Sequence, residues 1–175
     1  MAFIELPDVE GVEESIKKQF KAAKAATGEV GETLRILAIR PDILSMTNKM
    51  VKTLLISQTE LDPQTKEWLA IVISVENGCS MCVGEHKRIA QMLGITEEEI
   101  EGVLKGVESS DIPEKQKILL KFCVKSSKES YKVMRKDLDV LREAGYSDSQ
   151  ILEAVAIVGY FNYINTISNA MGSGK

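Results

Sequence analysis

The chain has 175 residues, 44% of them hydrophobic and 27% charged, with a net charge of -4 at pH 7 and a pI near 5.2. This is the composition of an ordinary soluble globule, long enough for one domain with a substantial core. The acidic balance excludes nucleic acid as a partner, because phosphate binding needs a cationic surface and no Arg/Lys stripe with interleaved aromatics is present. The start, MAFIELPDVE, lacks the basic n-region and apolar core of a signal peptide. The longest apolar runs, WLAIVISV and AVAIVGYF, are far too short to span a bilayer. No membrane partner is expected, and the expected location is cytoplasmic.

Nearly every segment carries a helical period, and none shows sustained strand alternation. Ser15 to Ala26 is rich in Lys and Ala and favours helix. The next apolar stretch reaches Pro41, which opens a helix through Leu44, Met46 and Met50. Asp62-Pro63 pairs an N-cap with proline at the first helical position, so a helix is predicted from Pro63 to about Glu76. Asn77-Gly78 stops it, since both residues tolerate the left-handed conformation of a helix end. A further helix starts near Cys79 and ends at Gly94, and Thr96 with Glu99 forms a capping box for a short one to Lys105. Pro113 opens the next, with Ile118, Leu119, Phe122 and Cys123 on one face. Tyr131, Met134, Leu138 and Leu141 repeat the pattern up to Gly145. Ser147 with Gln150 then caps a long apolar helix towards Ala170. Trp68 with Ile71, Val72 and Val75 reads as core. The tail Gly172-Ser173-Gly174-Lys175 lacks the spacing and preceding strand of a phosphate loop and reads as a frayed end. The prediction is a single all-α domain over residues 1–175, with about eight helices joined by short turns. It comprises an N-terminal helical extension (about 1–40), a C-x-x-C core (about 60–106) and a second repeat (about 113–171).

The repeat rests on an internal echo. Asp62-x-Gln64-x-x-Glu67-x-x-Ala70-Ile71-Val72 matches Asp148-x-Gln150-x-x-Glu153-x-x-Ala156-Ile157-Val158 at the same spacing. The later copy has Asn165 and Ser168 where the earlier has Cys79 and Cys82. The scaffold is duplicated and the thiols are not, which favours chemistry over packing for the cysteine pair.

The stretch ENGCSMCVGEH, residues 76–86, holds two of the three cysteines and the single histidine. Three cysteines in a reducing compartment do not make a disulfide framework, so C-x-x-C reads as redox or metal chemistry. On a helix Cys79 and Cys82 are neighbours, and His86 sits four residues beyond Cys82 on the same face. Cys79 falls at a helix N-terminus, where unpaired N–H groups favour a thiolate. A thiolate attacks peroxides and disulfides, and a second thiol one turn away captures the product as a disulfide. His86 can take the thiol proton or hold the thiolate as an ion pair. If the Asn77-Gly78 corner folds two helices antiparallel, Glu67 lies roughly 15 Å down one and His86 roughly 12 Å down the other, at 1.5 Å per residue. Glu67 is then level with the imidazole. Glu76, at the corner, is the competing carboxylate, and Glu85 points elsewhere. Cys123, alone in mid-helix, reads as core, and Met81 as a flexible pocket wall.

Glu67, eleven intervening residues and Cys79-x-x-Cys82-x-x-x-His86, set in EWLAIVISVENGCSMCVGEHKRIAQMLG, resemble the active-site motif of the AhpD-like alkylhydroperoxidase and carboxymuconolactone decarboxylase superfamily. A looser resemblance covers most of the chain, and the ending FNYINTISNAMG is similar to the peroxidase-related subgroup. The resemblance implies an AhpD-like helical bundle that forms homo-oligomers and reduces small organic hydroperoxides. Its electrons would come from a dithiol donor, a lipoyl-protein or a thioredoxin-like protein, and no cofactor or metal is implied. Carried over by position, Cys82 is the attacking thiolate, Cys79 the resolving thiol, and His86 with Glu67 the proton relay. Cys82 is one turn from His86 and Cys79 two, which sets this assignment against the helix-terminus argument for Cys79. The best-known hydroperoxidases carry a histidine between the cysteines where this chain has Met81. The decarboxylase branch lacks the cysteine pair, so its reaction is not implied. Two alternatives stand beside this reading: a disulfide reductase or isomerase, and a non-enzymatic oligomer with Cys79, Cys82 and His86 as a zinc clip.

Overall fold

Capping residues and prolines set the helix boundaries. In the computed structural model, which describes residues 2–174 apart from the side chains of residues 26 and 27, α1 runs Glu14–Thr27 and α2 Glu32–Leu37. Pro41 opens α3, Pro41–Val51, which runs on into a π-helical turn, Lys52–Ile56. Helix α4, Pro63–Glu76, is capped by Asp62, whose carboxylate accepts from the Thr65 backbone N–H at 2.9 Å. Gly78, at φ 64°, turns the corner into α5, Ser80–Met92. The capping boxes at Thr96/Glu99 and Ser147/Gln150 both form, and they open α6, Glu97–Lys105, and the last helix. Between them lie α7, Glu114–Glu129, and α8, Arg135–Glu143; the last helix is α9, Asp148–Met171. Among the described residues there are nine α-helices and no strand.

Helix α4 is the axis of the fold. Every residue from Thr65 to Ser74 is buried, because α5, α7 and α9 surround the helix. One consequence is a buried ion pair. Lys66 and Glu153 lie 3.2 Å apart with side chains 2% and 10% exposed. Lys66 also donates to Ser57 O and Thr59 Oγ1, and Glu153 accepts from the backbone N–H groups of Glu60 and Leu61. Both charges are therefore surrounded by hydrogen-bond partners, the condition under which such a pair is tolerated away from water. Glu153 is the echo of Glu67, and the two carboxylates have different partners, Lys66 for Glu153 and His86 for Glu67.

Several expectations change. The stretch before Pro41 contains α2, a helix the sequence pattern did not resolve. Tyr131 and Met134 do not continue a buried stripe; they are 80% and 60% exposed. The chain breaks there into a 3-10 turn, Ser130–Lys132, and restarts where the Asp137 carboxylate accepts from the Met134 N–H at 2.7 Å. Val75, in the last turn of α4, stands at the solvent edge, whereas Trp68, Ile71 and Val72 are core. Among the described residues, α9 is the one helix whose length and mean hydropathy (1.2) would suit crossing a bilayer, although the separate apolar runs are short. Half of that stretch is buried inside the fold, against α4 and α7, as expected of a core helix.

Residues 172–174 are not frayed, and Lys175 lies outside the described residues. Gly174 N–H donates to Glu32 Oε2 at 2.8 Å, Phe3 N–H donates to Met171 O at 2.8 Å, and Ser173 is buried. Gly172 takes φ 75°, and a Cβ there would stand 2.7 Å from the Phe3 ring. The two ends of the chain thus pack together beside α2 and α5.

Candidate active site

The antiparallel pair α4–α5 and the C-terminal half of α9 bring the site together. Cys79 is the N-cap of α5 and Cys82 lies one turn on; both are free, 1% and 7% exposed. Their sulfurs approach to 2.6 Å, about half an ångström beyond a disulfide bond length. One turn further along α5, His86 Nδ1 is 2.7 Å from Glu67 Oε2, which projects from α4 and is itself buried. The buried Phe161 ring of α9 packs edge-on against the imidazole, with centroids 5.0 Å apart. Glu76 turns away to an ion pair with Lys128, and Glu85 pairs with Arg88 on the outer face of α5. Cys123 is sealed in the core, where burial pushes its thiol well above the ordinary range.

Helix α9 presents a polar seam to the thiols. Ser168 Oγ lies 3.7 Å from Cys82 Sγ, and the Asn165 amide also faces both sulfurs. Asn165 is held by Asn77, whose Nδ2 donates to its Oδ1 at 3.0 Å, and by Ser74, whose Oγ accepts from its Nδ2 at 3.2 Å. The echo gains a physical meaning here. Cys82 and Ser168, at matching positions of the sequence echo, lie against each other, although the echo runs through one continuous helix in α9 where α4 and α5 are separated by a corner. The echo was visible in the sequence, yet nothing in it said that these two positions face each other. Phe161 under the imidazole was likewise not anticipated.

The surroundings divide the pair electrostatically. Cys79 is lowered to about 6, first by the hydrogen bond from the Cys82 thiol, with the Cys82 backbone N–H adding to it from beyond regular capping distance. Cys82 is raised, because it holds the shared proton against the neighbouring charge and is itself desolvated. The resting charge therefore favours Cys79, at the positive end of α5. Below pH about 6 both thiols of the folded chain are protonated, whereas an ordinary thiol, as in the unfolded chain, ionises only near 8.5–9. Between those limits the unfolded chain binds more protons, so stability rises with pH. Above them the sign reverses, since folded Cys82 and Cys123 keep protons that the unfolded chain releases. The expected result is a melting temperature of the reduced protein that climbs from about pH 6 to about pH 8.5, with the climb missing in Cys79→Ala. Parallel pH profiles for the two proteins would refute the shift.

The zinc clip does not suit this geometry. Two thiolates on one tetrahedral zinc sit about 3.8 Å apart, from Zn–S bonds of about 2.3 Å. The observed pair is much closer, and His86 is engaged by Glu67. Among the described residues no group of three or more His, Cys, Asp or Glu converges as a ligand set.

The sequence profile of the carboxymuconolactone decarboxylase family matches residues 41–111, which hold the whole Glu67-to-His86 constellation. A structure from Ralstonia eutropha JMP134, described as an alkylhydroperoxidase AhpD core and uncharacterized peroxidase-related protein, superposes with a TM-score of 0.93 at 24% identity, covering 98% of this chain and 90% of that one. Residues 41–111 are thus similar to the carboxymuconolactone decarboxylase family, and the whole chain has the AhpD-like fold. A peroxidase-related protein from Silicibacter sp. TM1040 shares the AhpD-like fold at a TM-score of 0.91 and 23% identity, with 98% and 90% of the two chains covered. The debrominase Bmp8 shares it at 0.77 and 19% identity, covering 91% of this chain and 85% of its own. No curated protein matches this AhpD-like chain in sequence. At these identities the structural neighbours establish the fold, and the chemistry rests on the chain's own residues.

Proposed function

We propose that the protein is an alkylhydroperoxidase-like dithiol oxidoreductase that reduces small organic hydroperoxides. The observation that carries this reading is the buried pair of free sulfurs at 2.6 Å beside a histidine–glutamate pair. Cys82 is the less buried residue of the pair, 7% exposed against 1%, and lies one turn from His86, which favours it as the attacking thiolate. Its sulfur bonds to the terminal peroxide oxygen as the O–O bond breaks, and the alkoxide leaves as the alcohol after taking a proton. Cys79 then attacks the sulfenic sulfur; the S–S bond forms and the departing hydroxide leaves as water. Two thiols have given up two electrons and two protons, and an external dithiol, lipoyl-bound or thioredoxin-like, restores them. Glu67 engages Nδ1 of His86, which leaves Nε2 as the ring atom that would carry protons to and from the reacting groups.

The test is thiol titration of the native protein before and after one equivalent of cumene hydroperoxide. Two of the three thiols should disappear and return on treatment with dihydrolipoamide. Retention of all three would overturn the peroxide reading. Loss of two thiols to model disulfides alone would transfer the assignment to a disulfide reductase.

A further inference from the structure

Cys82 stands at one end of a chain of hydroxyl groups. Its sulfur is 3.7 Å from Ser168 Oγ, Ser168 Oγ is 2.9 Å from Thr33 Oγ1, and Thr33 Oγ1 is 3.0 Å from Ser173 Oγ. Ser168 is fully buried. Thr33 belongs to α2 and lines a cavity of about 270 Å³ walled by Ala23, Leu34 and Met81. Each hydroxyl has one proton to donate. If Ser173 donates to Thr33 and Thr33 to Ser168, then Ser168 is left with its proton directed at the sulfur.

That direction answers a problem set by the sulfur pair. Resting charge favours Cys79, at the N-terminus of α5, while Cys82 holds the shared proton. When Cys82 attacks, the proton must cross to Cys79 and the charge must appear on Cys82, away from the helix end. A charge in so dry a place needs a donor. Asn165 gives one amide N–H to Ser74 and has a second, so Asn165 and the Ser168 hydroxyl are the two side chains that can donate to the sulfurs, and Ser168 is the one in the hydroxyl chain.

We infer that Ser168 is a positioning residue for the dithiol, whose hydroxyl, held in the donating sense by Thr33, supports negative charge on Cys82 as the shared proton moves to Cys79. This rests on the dithiol reading above and adds a residue that the family motif does not contain. The titratable groups facing the pair are His86 on α5 with its partner Glu67 on α4, and Tyr160 on α9, whose phenol is raised by burial and then by the charge of Cys82. Glu32 of α2 stands behind the chain-end segment, bound to its backbone. Among the described residues none of these four hydrogen-bonds to a sulfur, so the effect of the Ser168 hydroxyl can be read with all of them in place.

The experiment uses Cys79→Ser protein, in which Cys82 is the remaining thiol of the pair and Cys123 stays sealed. Alkylation of Cys82 by iodoacetamide is followed from about pH 5 to about pH 10, with and without Ser168→Ala, and circular dichroism confirms the fold. The midpoint should move up by about one pH unit, a roughly tenfold slower reaction at neutral pH. An unchanged midpoint in folded Ser168→Ala overturns the inference. Thr33→Val removes the next hydroxyl without changing the volume and should shift the midpoint in the same direction, while Thr33→Ser should restore it. If Ser168→Ala does not fold, this second pair decides: a shift with valine reversed by serine supports the chain, and no shift with valine overturns it. Alkylation consumes no peroxide. A wild-type protein that keeps its thiols under hydroperoxide would therefore sink the peroxidase reading alone.

Discussion

Replacing Cys82 with serine is expected to lower peroxide turnover by at least about a thousandfold, because an alcohol near neutral pH offers almost no anionic nucleophile where a thiolate stood. The measurement is steady-state consumption of cumene hydroperoxide with dihydrolipoamide as donor. Cys79→Ser separates the roles. Attack at Cys82 still proceeds, but no partner displaces the hydroxide, so a sulfenic acid should persist and be captured by dimedone after one turnover. The reverse pattern, with a trappable sulfenic acid at Cys79 in the Cys82→Ser protein, would exchange the two cysteines. The electrostatics make this a sharp question. Charge rests on Cys79, yet Cys82 is the less buried residue and lies one helical turn from His86, so under the proposed assignment the resting thiolate and the attacking thiolate are different atoms.

The second large effect concerns stability. Glu153→Ala should cost about 3–5 kcal/mol, since it leaves the Lys66 ammonium, with 2% of its side chain exposed, without its counter-charge in the centre of the fold. Urea unfolding measures the loss. The double substitution Lys66→Met with Glu153→Leu should recover most of it, because no charge is then left stranded. A Glu153→Ala protein as stable as wild type would show that the hydroxyl and carbonyl partners of Lys66 suffice on their own. Glu153 is engaged by Lys66 and the Glu60 and Leu61 N–H groups, whereas His86 is engaged by Glu67, so thiol reactivity should survive both changes.

The helices written in local chemistry were legible. Asp62-Pro63, Thr96 with Glu99 and Ser147 with Gln150 are signals spanning three or four residues, and each cap forms where the spacing put it. The Asn77-Gly78 corner was legible for the same reason, and with it the levels of Glu67 and His86 on neighbouring helices, which meet at 2.7 Å. What local patterns missed depends on long-range contacts. Tyr131 and Met134 keep a helical spacing but have no partner to cover them, so period alone misread their exposure. Gly172 to Gly174 looked like a loose end because their tethers, Phe3 and Glu32, are more than a hundred residues away. Ser168 was recognised as an echo of Cys82, but a repeat found in one dimension does not say which of its members meet in space.

The amides of α9 have a consequence for how that helix finds its place. Asn162 and Asn165 accept from Asn77 Nδ2 at the end of α4, and Asn169 donates to Asn77 O. A purely oily interface tolerates sliding, whereas a slip of one turn here would strand several amides together, each short of a partner. The seam therefore works as an index mark that sets α9 in one alignment, and Ser168 comes to the sulfur only in that alignment. Adjusting these amides for robustness would also retune the thiols, so the protein cannot vary the two traits separately.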